Sequence, residues 1–117
     1  MAIGGVKLQR EALKQMAPAT TYVDAVVVGA SDSEVVPVPS GAVAVSFGYD
    51  ASGAWVKFGT FDDLTISPAI KPVGAVSDGT ASAYSPTSRT IDSAITGISI
   101  YNASASSMAV SLEWYLG

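Results

Sequence analysis

Cysteine and histidine are both missing from this 117-residue chain, and charge is scarce: six Lys and Arg, ten Asp and Glu, 14% in all. A soluble domain ordinarily carries about 25%. Without cysteine there is no disulfide and no thiolate metal site. Without histidine the side chain that most often moves protons near neutral pH is lost. These absences point away from catalysis. A small domain with so few charges also has little to solvate its surface alone, which favours a surface covered by copies of itself or by a larger assembly.

Long apolar runs are missing too. Residues 93–112 form the longest uncharged stretch, but it holds seven serines and threonines plus Gly97 and Asn102. A membrane helix needs about 20 predominantly apolar residues, so this stretch reads as two strands and a turn. At the N-terminus Lys7, Arg10 and Lys14 interrupt any apolar run, which argues against a signal peptide.

The charge that is present is unevenly placed. Residues 1–20 hold Lys7, Arg10, Lys14 and Glu11, a balance of +2, and residues 21–117 hold three cations and nine anions, a balance of −6. An acidic body is a poor partner for nucleic acid, which requires clustered Lys and Arg. The basic N-terminal piece is suited to an acidic neighbour; a frayed terminus is the plainer reading.

Residues 3–17 are the one helix candidate. Leu8, Ala12 and Met16 recur at helical spacing with Leu13 beside them, and Pro18 stops the pattern. From Thr21 onward the texture changes to strands and turns. Residues 22–28 are rich in β-branched side chains, and 29–33 form a turn. Pro37 and Pro39 suit an edge or a connection. Residues 42–49 alternate, with Val43, Val45, Phe47 and Tyr49 on one face and the small Ala42, Ala44, Ser46 and Gly48 on the other. The turn at 50–53 leads into 54–59, where Val56 and Phe58 oppose Trp55 and Lys57; the pair reads as a hairpin. Residues 61–83 read as irregular with short strands near 64–66 and 73–76, and 82–90 as loop. Residues 96–102 and 107–116 read as a closing hairpin, with Met108, Val110, Leu112, Trp114 and Leu116 on one face. Six to eight short strands with turns every eight to twelve residues predict an all-β antiparallel sandwich over 21–117, jelly-roll-like or immunoglobulin-like, preceded by a short N-terminal helix or arm over 1–20.

Few residues offer chemistry. Asp62 and Asp63 are adjacent and read as solvated turn acids; in a strand they would face opposite ways. Asp32 and Glu34 offer oxygen ligands but lack the glycine and repeated acids of a calcium loop. No GxxxxGK[ST] phosphate loop occurs. No catalytic residue, metal site or cofactor is assigned. Trp55, opposite an apolar strand face, reads as a subunit contact, a rim packer or a sugar platform, and Trp114 reads as core. The small face of Ala44 and Ser46 admits a closely approaching partner, because polar residues expected on a solvent face are few there.

The segment Val36-Pro37-Val38-Pro39-Ser40-Gly41-Ala42-Val43-Ala44-Val45-Ser46-Phe47, the strand Trp55-Val56-Lys57-Phe58-Gly59 and the closing strand 107–115 resemble small structural proteins of tailed bacteriophages. These are the capsid decoration (cement) proteins and related head or tail accessory proteins. The likeness covers most of residues 21–117 and rests on texture and strand order. It implies a β-sandwich that forms homo-oligomers, often trimers, and docks on a major capsid protein or another virion protein. It also implies a place in the phage particle after synthesis in the host cytoplasm, with no nucleic-acid or membrane partner. On that reading Lys7, Arg10, Leu13 and Lys14 of the arm and Ala44, Ser46 and Trp55 of the body form the contacts. A tail, neck or fibre component, or a carbohydrate-binding adhesion module, is the alternative.

Overall fold

A computed structural model describes residues 20–72 and 82–117. The expected helix at 3–17, with Lys7, Arg10, Leu13 and Lys14, and the expected strand at 73–76 lie outside the described residues.

The described residues form eight strands: β1 (Thr20–Val28), β2 (Ser33–Pro37), β3 (Ala42–Tyr49), β4 (Ala54–Gly59), β5 (Ala83–Tyr84), β6 (Ser88–Thr90), β7 (Gly97–Asn102) and β8 (Met108–Leu116). One short helix, α1 (Phe61–Ile66), follows β4. The strands make two four-stranded antiparallel sheets: sheet A in the order β1-β8-β3-β6, and sheet B in the order β2-β7-β4-β5. Every connection between consecutive strands except β4 to β5 crosses from one sheet to the other. An immunoglobulin sandwich keeps several consecutive strand pairs in one sheet. The crossing pattern here is that of a jelly roll.

The two expected hairpins are therefore arches. β3 pairs with β6 and β8, not with β4, and β8 pairs with β1 and β3, not with β7. Turn composition is the same for either connection. The apolar rows decide, because Phe47 of β3 meets Phe58 of β4 edge-to-face, ring centroids 6.0 Å apart, across the sandwich and not beside it. The two arches also bond to each other at one end of the molecule: Ala103 N–H donates to Gly53 O at 2.9 Å, and Ala109 N–H to Asp50 Oδ1 at 2.9 Å.

The core lies between the sheets. Met108, Val110, Leu112 and Trp114 of β8 are fully buried, facing Ile98 and Ile100 of β7 and Val56 of β4. Trp114 Nε1 donates to Asp24 Oδ2 at 2.7 Å, which gives the one charge on β1 a partner on the inner side. Val45 joins the core as its alternation predicts, but Val43 does not. A register shift between Ala42 and Ala44 turns Ala42 toward the core and leaves Val43 37% exposed.

Residues 64–66 are helical, not extended. Thr60 caps α1 by accepting from Asp63 N–H at 3.3 Å, and Asp62 and Asp63 occupy the first turn, where the helix dipole favours carboxylates. Residues 82–90, expected as loop, contain β5 and β6, each ordered by pairing with a longer strand. Among the described residues no helix is long and apolar enough to cross a membrane.

Candidate interaction surfaces

Alternation along the strands decides what each sheet shows to the outside. On sheet A the outward row of β1 is Val23, Ala25 and Val27, opposite Glu113, Ser111 and Ala109 of β8. Ala44, Ser46 and Gly48 of β3 continue this face on the other side of β8. Val23 is 54% and Val27 64% exposed. Glu113 is the one ionised side chain in these rows. Its Oε1 accepts from the Tyr115 hydroxyl at 2.7 Å, and Ser46 Oγ donates to the Tyr115 oxygen at 3.3 Å. At Gly48 the Ser111 hydroxyl takes the space of a side chain, 2.6 Å from where a Cβ would stand. The result is a broad surface of small and apolar side chains with its lone carboxylate already bonded. Ala44 and Ser46 lie on it, half-buried.

Sheet B presents two different halves. Over one half the chain covers itself. Gly59 and Gly97 are register partners, and Leu64 of α1 sits in the dent they leave. A Cβ on Gly97 would stand 2.8 Å from Phe61 Cα, so glycine is what allows α1 to approach. Beyond α1, Ala69 N–H donates to Ser99 Oγ at 2.9 Å, and both residues are buried. Lys57 Nζ donates to Ser67 O at 3.0 Å and pins the same segment.

The other half carries aromatics. Tyr101, Trp55 and Tyr84 are register partners in one row across β7, β4 and β5. The Trp55 and Tyr84 rings lie 4.9 Å apart at 55°, with Tyr84 54% exposed. Trp55 thus points away from the core, as its strand face predicts, and is half-buried by its neighbours. It does not join Ala44 and Ser46, which face outward from the opposite sheet.

Other polar features have local roles. Asn102 is fully buried; its amide donates to Val28 O at 3.0 Å and Ser106 O at 2.7 Å, and its Oδ1 accepts from Ser104 N–H at 2.9 Å. It holds the loops at one end of the sandwich. At the other end an open depression of about 460 Å³ is bordered by Pro39, Val43, Ile91 and Ile95. Its carboxylate, Asp92, accepts from Ala94 N–H at 2.8 Å. Asp32 accepts from Ser33 N–H at 2.8 Å within its own turn. Arg89 lies 4.6 Å over the Phe58 ring. No cluster of three metal-ligating side chains occurs among the described residues.

Sequence reasoning places Trp55, Ala44 and Ser46 on outward faces but misses the company they keep. Tyr101 is outward by alternation with Ile98 and Ile100. Its position beside Trp55 depends on pairing between strands more than 40 residues apart, which periodicity does not encode. The exposed row of β1 was legible as alternation but was not singled out.

No protein-family model matches the chain, and no curated protein matches it. Among solved structures it is similar to a de novo designed double-stranded β-helix determined by solution NMR. The identity is 15% and the TM-score 0.49, covering 80% of this chain and 99% of that one.

Proposed function

We propose that this chain is a structural protein of a virus particle, a capsid decoration (cement) protein that self-associates and binds the assembled head lattice. The observation that carries this reading is the outward face of sheet A: small, apolar at its β1 side, with a single carboxylate that is already hydrogen-bonded. Solvent faces of antiparallel sheets are ordinarily polar. Interface centres are depleted in charge. The bacteriophage setting comes from the resemblance of residues 36–47, 55–59 and 107–115. The fold itself carries no weight, because jelly rolls serve many roles. The mechanism is mass action: a protein that binds only the assembled lattice stabilises that lattice. Light scattering after size exclusion is expected to give an oligomer, and the protein is expected to co-sediment with capsids. A monomer that stays in the supernatant sinks the proposal, and density on a tail, neck or fibre moves it there.

A second reading has its own observation, the row of Tyr101, Trp55 and Tyr84. Aromatic rings aligned on an outer sheet face offer surfaces on which sugar rings stack, which suits a carbohydrate-binding module. A glycan array with the native chain and with Trp55→Ala decides it. Binding lost in the variant, with its melting curve unchanged, favours this reading, and no binding to any glycan removes it.

A further inference from the structure

We infer that β1 is a self-pairing edge, through which two copies of this chain join antiparallel, β1 to β1, and fuse their A sheets into one. The inference rests on the self-association proposed above and names the surface that carries it.

Among the described residues the two sheets have four edge strands, and three of them are guarded. β5 has two residues and β6 has three, with Arg89 at its middle. β2 has five, carries exposed Glu34 and ends at Pro37. Short length, charge and proline are the devices by which natural sheets blunt an edge. β1 has nine residues, TTYVDAVVV, with no lysine and no proline. Its one register irregularity lies between Thr20 and Tyr22, so residues 22–28 run regularly along β8. Its single charge, Asp24, lies on the inner side opposite Leu112, where its Oδ2 already accepts from Trp114 Nε1.

The occupant that fits is a second β1. A two-fold axis through Ala25 puts Ala25 opposite its copy and Val23 opposite Val27 of the second copy. The outward side then gains an unbroken apolar row, and Asp24 meets Val26 on the inner side. The neighbouring two-fold register, centred on Asp24, sets two carboxylates directly opposite and is disfavoured. A one-residue slip turns the valines to the wrong face. The contact is isologous and closes on itself. It yields an even number of copies, a departure from the trimer that the phage resemblance implies.

The absence of cysteine gives a clean test. Directly opposed Cβ atoms on paired strands stand about 4.5–5.5 Å apart, near the separation a disulfide spans. Ala25→Cys is expected to oxidise to a covalent dimer far faster than Ala51→Cys, an exposed thiol in the 50–53 turn. Val23→Cys mixed with Val27→Cys is expected to cross-link, and Val23→Cys alone is not. Val27→Lys is expected to halve the mass seen by light scattering, with its melting curve showing that it still folds. A native oligomer whose Ala25→Cys form cross-links no faster than Ala51→Cys, or one with an odd number of copies, overturns the β1 contact while the assembly reading stands. A native monomer overturns both.

Discussion

The two sheets of this sandwich are held in different ways. Sheet B is fixed from both sides, with the core against Ile98, Ile100 and Val56 and with α1 and the segment at 67–69 against Gly97 and Ser99. Sheet A is fixed from its inner side by the row of Met108, Val110, Leu112 and Trp114, and its outward face is left to small residues and valines. The described residues carry few charges, and sheet A's outward face carries only Glu113. The surface that the described residues leave uncovered is the one with least charge to keep it in water, and it is the one proposed to meet a partner.

Trp114→Ala strikes the inner side of sheet A and has the largest expected effect. It empties the biggest fully buried side chain and strips Asp24 of its donor, for a loss of about 4 kcal/mol in denaturant unfolding. A loss under about 1 kcal/mol would mean that sheet A does not depend on its inner side as described. Gly97→Ala strikes the outer cover of sheet B. The new methyl must displace Phe61 backbone, at a cost of about 2 kcal/mol. Hydrogen exchange at Ala69 N–H is expected to accelerate with it, because α1 and the bond to Ser99 move together; unchanged protection there would separate the two contacts.

The sharpest form of the comparison is one substitution made on each outward face. Ser99→Ala leaves Ala69 N–H buried without its acceptor and is expected to cost about 1.5 kcal/mol. Ser46→Ala removes a long hydrogen bond on a half-buried hydroxyl and is expected to stay within about 0.5 kcal/mol. Equal losses at the two sites would erase the distinction between a covered face and an open one.

How much of this was legible in the sequence follows the range of the interactions. Alternation in residues 107–116 identified the buried row, and alternation in 54–59 turned Trp55 outward, because the period of a strand is local. The arches were misread as hairpins because turns at 50–53 and 103–107 have the same composition whether the next strand lies beside the last or across from it. Strand pairing separates these cases, and the packing of Phe47 on Phe58 marks the first as an arch. Residues 64–66 of α1 read as a strand within an irregular stretch because six residues are too few to show helical period; the cap at Thr60 with Asp62 and Asp63 after it is the available signal. Asn102 read as the end of the strand at 96–102, and its partners are Val28, Ser104 and Ser106, one of them 74 positions away. The candidate surfaces were found as separate residues, and the pairing of strands assigned them to opposite sides.

One expected effect lies at the seam between the sheets and appears at alkaline pH. Tyr49 belongs to β3, and its hydroxyl donates to Pro86 O in the β5–β6 connection at 2.6 Å. Burial pushes its ionisation well above the ordinary tyrosine value of 10.0. Below that value the folded and unfolded chains both hold the proton, and the shift contributes nothing to the pH dependence. Above it the unfolded chain releases the proton while the folded chain keeps it. The unfolded state then binds fewer protons, and stability falls as pH rises. Tyr49→Phe is expected to cost about 1 kcal/mol at pH 7 through the lost hydrogen bond and to flatten the decline above pH 10. Unfolding midpoints of the two chains are thus expected to converge as pH rises from 10. Parallel curves would show that Tyr49 ionises as freely in the folded chain as in the unfolded one, and that the inner side of sheet A is open to water at this seam.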